Sequence, residues 1–358
     1  MPEGLAALKN ELVQLARAMG ALDARVASKE MLAGPPSSDP EYILPGSRSV
    51  ISFAVPVGTD FIPDYFGKVT RDVFKEIMYR KYLLVGAISS ALAAGLQKAG
   101  FMAESLSPNG AYRPRPEGQA PGFMVPDFSH RYAAVASGIG TFGWSGNVLV
   151  KDHWAAVFLG STVTEAELPP DAPLEESLCD KCKICTQVCP LEFVKKTETQ
   201  TVSLGGREYT YSARSNHMRC GLACGGFNGR SRDRKWSSWA TLDYEFPERD
   251  EQLLQQFARA FQDKNAKYMY CQVGRDENGQ PSAWGMASAR RMTGILYRSH
   301  KDTNPTCCHC LLVCSGPVET RRRLMELLHH SGVVVRDESG VERAVRPGEA
   351  AEQASAPV

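Results

Sequence analysis

Cys179-Asp-Lys-Cys182-Lys-Ile-Cys185-Thr-Gln-Val-Cys189-Pro190 has the spacing C-x2-C-x2-C-x3-C-P. Three thiolates two residues apart can converge on three irons of one cubane 4Fe–4S cluster, while the fourth reaches a second cluster. The proline after Cys189 leads the chain away in an extended direction. Far downstream, Cys307-Cys308-His309-Cys310-Leu-Leu-Val-Cys314 repeats C-x2-C-x3-C, counted from Cys307. Zinc could use C-x2-C pairs, but it wants four ligands, and the first motif alone supplies four in a run with a trailing proline. A disulfide framework would suit a small secreted chain, whereas this one has 358 residues and no visible export signal.

The sharing rule then assigns Cys179, Cys182, Cys185 and Cys314 to one cluster. Cys189, Cys307 and Cys310 go to the other, which lacks one ligand. Together the two groups look like a split two-cluster ferredoxin. The length allows one large domain and a smaller one. With 41 Lys plus Arg against 40 Asp plus Glu, the formal charge is +1, which gives no general electrostatic grip on nucleic acid or an anionic membrane. No apolar run approaches the roughly 20 residues that a membrane-spanning helix needs. Eleven clustered cysteines suit a reducing compartment, so a soluble cytoplasmic redox protein is expected.

The elements that must position these thiols are legible in part. Leu5, Leu8, Leu12, Leu15 and Met19 recur at helical spacing before Gly20, so residues 4–19 read as an amphipathic helix. Ser49–Val55 reads as a buried strand, and residues 71–99 as a helix stopped by Gly100. The stretch 107–127, rich in Pro and Gly, reads as an irregular loop. A short Ala-rich helix follows over Arg131–Ser137. Gly138-Ile-Gly140-Thr-Phe-Gly143-Trp-Ser145-Gly146-Asn147 contains G-x-G-x-x-G, but with a helix before it and strands (148–150, 155–163) after it. That is the reverse of the dinucleotide-binding order, so the glycines indicate tight turning or close backbone approach instead. A long insert (about 191–305) separates the cysteine groups and carries Cys220, Cys224, Cys271 and a helix near Glu251–Asp263. Glu319–His330 reads as a helix ended by Gly332. Residues 337–358, polar and rich in Glu, Ala and Pro, read as a loose tail.

Leu44-Pro-Gly-Ser-Arg-Ser-Val-Ile-Ser-Phe-Ala, then Arg131-Tyr-Ala-Ala-Val-Ala-Ser-Gly-Ile-Gly-Thr-Phe-Gly143, then the two cysteine groups, resembles the epoxyqueuosine reductases and their relatives the reductive dehalogenases, from about residue 40 to about 320. The resemblance implies an α+β architecture: a nitroreductase-like corrinoid-binding domain (1–170), a ferredoxin-like two-cluster module (171–335, with the insert), and a flexible tail (336–358). It implies cobalamin beside two 4Fe–4S clusters. Arg131, Gly138, Gly140, Gly143, Ser145 and Asn147 would bind the corrinoid. The missing cluster ligand in that family is a lone cysteine in an Ala-Arg-Arg-Cys-like context. Here Ala213-Arg-Ser-Asn-His-Met-Arg-Cys220 fits best, ahead of Cys224, then Cys271 or Cys308.

The chain departs from that pattern at the proton donor. Epoxyqueuosine reductases place an Asp seven residues before the arginine that matches Arg131, and here that position is Met124. Asp127, Tyr112, His130 and Tyr132, in or beside the Pro/Gly-rich loop, are the candidate acids. Gly-Lys-Asn after the turn is replaced by Gly143-Trp144-Ser145, nearer the dehalogenase pattern, and no counterpart of the helical repeats that help many of these enzymes hold tRNA is visible. The function implied is a cobalamin-dependent reductase. It would take electrons from a reduced ferredoxin or flavodoxin and deliver them to a small organic substrate. Two rivals stand beside it. One is an epoxyqueuosine reductase acting on tRNA, for which Arg230–Lys235 and Arg321–Arg323 are the local basic candidates. The other is an electron-transfer or activator protein with no substrate of its own.

Overall fold

The computed structural model describes residues 2–109, 112–113, 125–244, 246–253, 255–256, 305–337 and 339–354. In chain order the elements are helix α1 (Pro2–Ala18), strands β1 (Asp23–Ser28) and β2 (Ser49–Pro56), helices α2 (Ile62–Phe66) and α3 (Asp72–Lys98), strand β3 (Ala103–Ser105) and helix α4 (His130–Ala136). Then come β4 (Thr141–Phe142), β5 (Val148–Leu149), β6 (Val157–Thr164), α5 (Ile184–Gln187), the hairpin β7 (Val194–Leu204) and β8 (Arg207–Arg214), and α6 (His217–Cys224). The last are α7 (His309–Leu312), α8 (Val318–His330), β9 (Val333–Arg336), β10 (Glu342–Val345) and α9 (Pro347–Ala354).

A four-stranded sheet in the order β1–β2–β6–β3, antiparallel throughout, forms the centre. β2 is buried on both faces because its side chains alternate between two apolar layers. Ile51, Phe53 and Val55 join α1 and α3 on one side. Val50 faces Ala133 and Ala136 of α4 on the other. Helices thus cover both faces of an antiparallel sheet, giving a mixed helix-and-sheet architecture in which α4 and the turn after it are pinned from below. Across the central strand pair, Phe53 lies opposite Gly160. A Cβ at Gly160 would fall 2.2 Å from the Phe53 ring and 2.8 Å from Val85 Cγ1, so the ring occupies the space that the glycine leaves.

The cysteine-bearing segments fold as two similar pieces. Lys183 and Cys308 both have left-handed backbone (φ 59° and φ 63°), and each opens a four-residue helix, α5 and α7. Left-handed geometry in non-glycine residues is uncommon, and its recurrence at matching positions of Cys182-Lys-Ile-Cys185 and Cys307-Cys-His-Cys310 reflects one shared loop shape. The two helices pack together, and His309 of α7 sits with Nδ1 3.2 Å from the Val188 carbonyl that follows α5.

Several sequence readings change here. The insert opens with the β7–β8 hairpin, turned by Gly205 and Gly206 with φ of 57° and 79°, where the sequence reading assigned no strand. The stretch read as a loose tail pairs β10 with β9 and continues into α9, because Val333, Val345 and Ala350 share a small apolar cluster. In the helix expected near Glu251–Asp263, residues 250–253, 255 and 256 are helical; the remainder, Cys271 and the centre of the 107–127 loop lie outside the described residues.

Gly160→Ala is expected to lower unfolding free energy by about 1–3 kcal/mol through overpacking, with partial recovery when Phe53→Leu is added. Denaturant unfolding of the single and double variants checks this, and an undiminished midpoint in Gly160→Ala would contradict it.

Candidate active site

The cysteines of the two loops lie close enough to influence one another, and their sequence spacing divides them into two sets. Cys314, which follows α7, stands beside Cys179, Cys182 and Cys185. Burial, then the nearby sulfurs of Cys310, Cys314, Cys179 and Cys182, push the Cys185 thiol far up. Burial with Cys179 and Cys182 pushes Cys314 up to about 12, against the pull of Arg321. In the second set, burial, Cys220 and Cys189 push Cys310 up to about 12, and burial pushes Cys189 up to about 11. Cys220 and Cys224, one turn apart on α6, have sulfurs 3.7 Å apart, and Cys224 also reaches Cys307 and Cys308. None of the ten described cysteines forms a disulfide. Among the described residues, no group of three or more His, Cys, Asp or Glu side chains is drawn together as around a single metal ion.

Main-chain and guanidinium donors point at these sulfurs. Trp144 N–H donates to Cys179 Sγ at 3.2 Å, and Phe193 N–H to Cys189 Sγ at 3.2 Å. Arg321, 1% exposed, donates to both Asp180 carboxylate oxygens (2.8 and 2.9 Å) and to Cys182 Sγ at 3.4 Å. Its guanidinium also stacks 4.3 Å from the Trp154 ring centroid. Arg321 therefore belongs to the sulfur site and not to a basic surface. Arg230 and Arg234 share Asp243, and Arg232 meets Glu192 and Glu248, so this basic run is largely neutralised within the fold.

A cavity of about 1210 Å³ adjoins the second set. Asp127, His130, Tyr132 and Tyr112 all line it, as do Arg131 and Asn147. Its wall is shared with the cysteine module: Asn147 Nδ2 lies 3.8 Å from Cys310 Sγ, Leu311 is a lining residue, and lining residue Ala155 donates its N–H to the Cys314 carbonyl at 2.8 Å. Asp127 is buried, and Arg113 grips its carbonyl (3.3 and 3.2 Å). The cap of α4 is Ser129, whose side chain accepts from Tyr132 N–H, so Asp127 is not spent on capping.

The other candidate acids are held by named neighbours or shifted by burial. His130 has both ring nitrogens engaged: Nε2 donates to the Ser107 carbonyl at 2.8 Å, which leaves Nδ1 to accept from the Ser161 hydroxyl at 2.9 Å. Burial also lowers its ionisation below the ordinary histidine range, against the Ser107 hydrogen bond. Burial and the Tyr211 hydroxyl 3.5 Å away push Tyr132 up to about 12, and burial raises Tyr112.

Gly138, Gly140 and Gly143 do not line the cavity. A Cβ at Gly138 or Gly140 would lie 2.2 Å from the carbonyl oxygen of Ala172 or Leu149, and one at Gly143 2.3 Å from Leu149 Cδ1, so each glycine admits a protein neighbour. Buried Ser145 acts through its carbonyl, which accepts from Arg214 Nη2 at 2.7 Å. Sequence reasoning missed the residues that β8 and α6 bring to the cavity, Tyr211, Arg214 and His217. Gly205-Gly206 between alternating polar and β-favouring residues was the available signal for that hairpin.

The thiols beside a large cavity mark the candidate site. No family model matches the chain. The curated relatives that match are epoxyqueuosine reductases, which bears out the resemblance read from the sequence. The Bacillus anthracis enzyme is 31% identical over 64 residues, 18% of this chain and 17% of its own length. The enzyme of Synechococcus sp. (strain RCC307) is 39% identical over 57 residues, 16% and 18% of the two chains. The matched stretches thus span less than a fifth of these relatives. Among solved structures, a reductive dehalogenase linked to B12-dependent dehalogenation aligns at 14% identity over 96% of this chain and 47% of its own, with a TM-score of 0.45. Among the described residues no helix is long and apolar enough to cross a membrane.

The His130 geometry has a pH consequence. Its folded ionisation lies below the unfolded value near 6.5, so the unfolded chain binds the extra proton first, and stability should fall as pH drops below about 6.5. Thermal melts across this range should show a shallower decline for His130→Gln than for the parent chain; equal slopes would contradict the assignment.

Proposed function

We propose that this chain is a corrinoid-dependent, iron–sulfur oxidoreductase of the epoxyqueuosine reductase and reductive dehalogenase type, acting on a small organic substrate. The observation that carries the reading is the shared wall, where Asn147 and Leu311 line the cavity and Asn147 meets Cys310. An all-thiol donor set with N–H groups aimed at its sulfurs suits cubane clusters. Buried thiols whose ionisation is opposed by burial and by one another need a bound cationic centre to become thiolates.

Cys179, Cys182, Cys185 and Cys314 would hold one cluster, and Cys189, Cys307, Cys310 and Cys220 the other. Cys308 occupies the left-handed position that Lys183 fills in the first loop, which argues against it as a ligand. The cavity is large enough to enclose much of a flat macrocycle, with Arg131 and Asn147 on its wall. When bound, the clusters would supply single-electron storage and the corrinoid a strongly reducing cobalt.

The chain's own residues set direction and protonation. Asp180 and Lys181 in the first cysteine loop are exposed, so an external donor such as a ferredoxin or flavodoxin would dock there, and Cys310 would face the cavity end. Asp127 is the favoured proton donor. It lines the cavity, its backbone is held by Arg113, and capping is left to Ser129. His130 serves to position α4 against β6 through Ser161. The cavity and this acid favour an enzyme over an activator without a substrate. Neutralisation of Arg230–Arg234 and burial of Arg321 weigh against tRNA as the substrate.

Cys185→Ala is expected to lose about half of the iron and acid-labile sulfide of the anaerobically prepared chain, while Cys308→Ala keeps all of it. Metal and sulfide analysis of the two variants checks the ligand assignment. Equal loss in both, or none in Cys185→Ala, would overturn it.

A further inference from the structure

Two arginines reach the cavity, and among the described residues neither is paired with a carboxylate. Arg131 and Arg214 both line it, reaching it from α4 and from the end of β8. Each anchors one edge on backbone: Arg131 Nη1 donates to the Gly146 carbonyl at 2.7 Å, and Arg214 Nε and Nη2 donate to the Ser145 carbonyl at 3.2 and 2.7 Å. Both guanidiniums are thereby fixed beside one turn. Among the described residues, neither has a carboxylate oxygen within 4.0 Å. Among the described residues, the carboxylic acids that line the same cavity are Asp127, Glu104 and Asp250, and Asp250 is taken by Arg219 at 3.2 Å. The guanidiniums are close enough to oppose each other. Burial, then Arg131, lowers Arg214 to about 10, against the opposite pull of Cys310, Tyr211 and Cys220.

The start of α6 adds to the same field. Ser215, Asn216 and His217, at the start of this eight-residue helix, line the cavity; the Asn216 side chain caps the Met218 N–H at 3.0 Å, and the positive end of the helix dipole remains near it. Two like charges held beside a helix N-terminus attract an anion on the cavity side, while Cys310 and Cys220 act on Arg214 from the sulfur side.

We propose that Arg131 and Arg214, with the N-terminus of α6, form a seat for an oxyanion, a carboxylate or phosphate group of the molecule that occupies the cavity. The inference rests on the reductase reading only for the source of that anion. It is either an anionic organic substrate or the phosphate of the corrinoid's nucleotide arm. In both cases the guanidiniums donate charge-assisted hydrogen bonds to oxygen and fix which end of the molecule lies beside Asn147 and Cys310.

Calorimetric titration of the full chain with inorganic phosphate and with benzoate tests this. Binding is expected, weakened about tenfold or more by Arg214→Gln or Arg131→Gln and largely retained in Arg214→Lys. Equal affinity in the parent and both glutamine variants, with native circular dichroism, would overturn the proposal. So would failure of the parent to bind either anion at low salt. Parallel loading with cobalamin and with cobinamide, which lacks the nucleotide phosphate, separates the two sources. Selective loss of cobalamin retention in Arg214→Gln assigns the anion to the corrinoid, and unchanged retention with lost benzoate binding assigns it to the substrate. If neither corrinoid binds while phosphate binding stays arginine-dependent, the anion seat stands and the reductase reading fails.

Discussion

Cys185 is buried and Cys310 and Cys314 are half-buried among other sulfurs, where desolvation and mutual repulsion oppose loss of their protons. That opposition is the constraint from which the rest of the arrangement follows. Such a gathering of thiols is poorly suited to reactive cysteine chemistry, which needs an accessible thiolate at moderate pH. It is well suited to a bound cationic centre that replaces the protons. The surroundings are built for the charged form: Trp144 and Phe193 aim N–H groups at sulfur, and Arg321 brings a buried guanidinium to Cys182 while satisfying Asp180.

The same constraint accounts for the way the sheet and the cysteine loops are joined. α4 rests on β2 and β6, and the turn that follows it delivers Trp144 to Cys179 and Asn147 to Cys310. The turn approaches this closely because its glycines admit neighbouring backbone and the Leu149 side chain. The β7–β8 hairpin closes over it, with Tyr211 and Arg214 packed at Gly146. The cavity is thus bounded on one side by the helix-and-sheet layer and on another by the sulfur sites, and a molecule in it would touch both.

Much of this was legible in the residues themselves. The cysteine spacing predicts Cys314 with the first trio and Cys189 with Cys307 and Cys310, and in the structure Cys314 feels Cys179 and Cys182 while Cys310 feels Cys189. The α1, β2, α3 and α8 segments follow their apolar periodicity because tertiary packing agrees with local preference. The reading failed where meaning depended on distant partners. The turn glycines looked like a cofactor cradle, yet Ala172 and Leu149 are what they accommodate. Arg321 looked like surface charge because a sequence does not show that Asp180 lies across from it. The acids in 337–358 suggested a loose tail, while the pairing of β10 depends on Val333–Arg336. The arginine of β8 could not be connected to Arg131 before the hairpin's path was known.

Anaerobic isolation followed by an iron, acid-labile sulfide and cobalt count on the same sample tests the central claim most directly. The account predicts about eight iron and eight sulfide per chain, with about one cobalt after corrinoid loading. Stoichiometric zinc, or a chain nearly free of sulfide after anaerobic reconstitution, would contradict it.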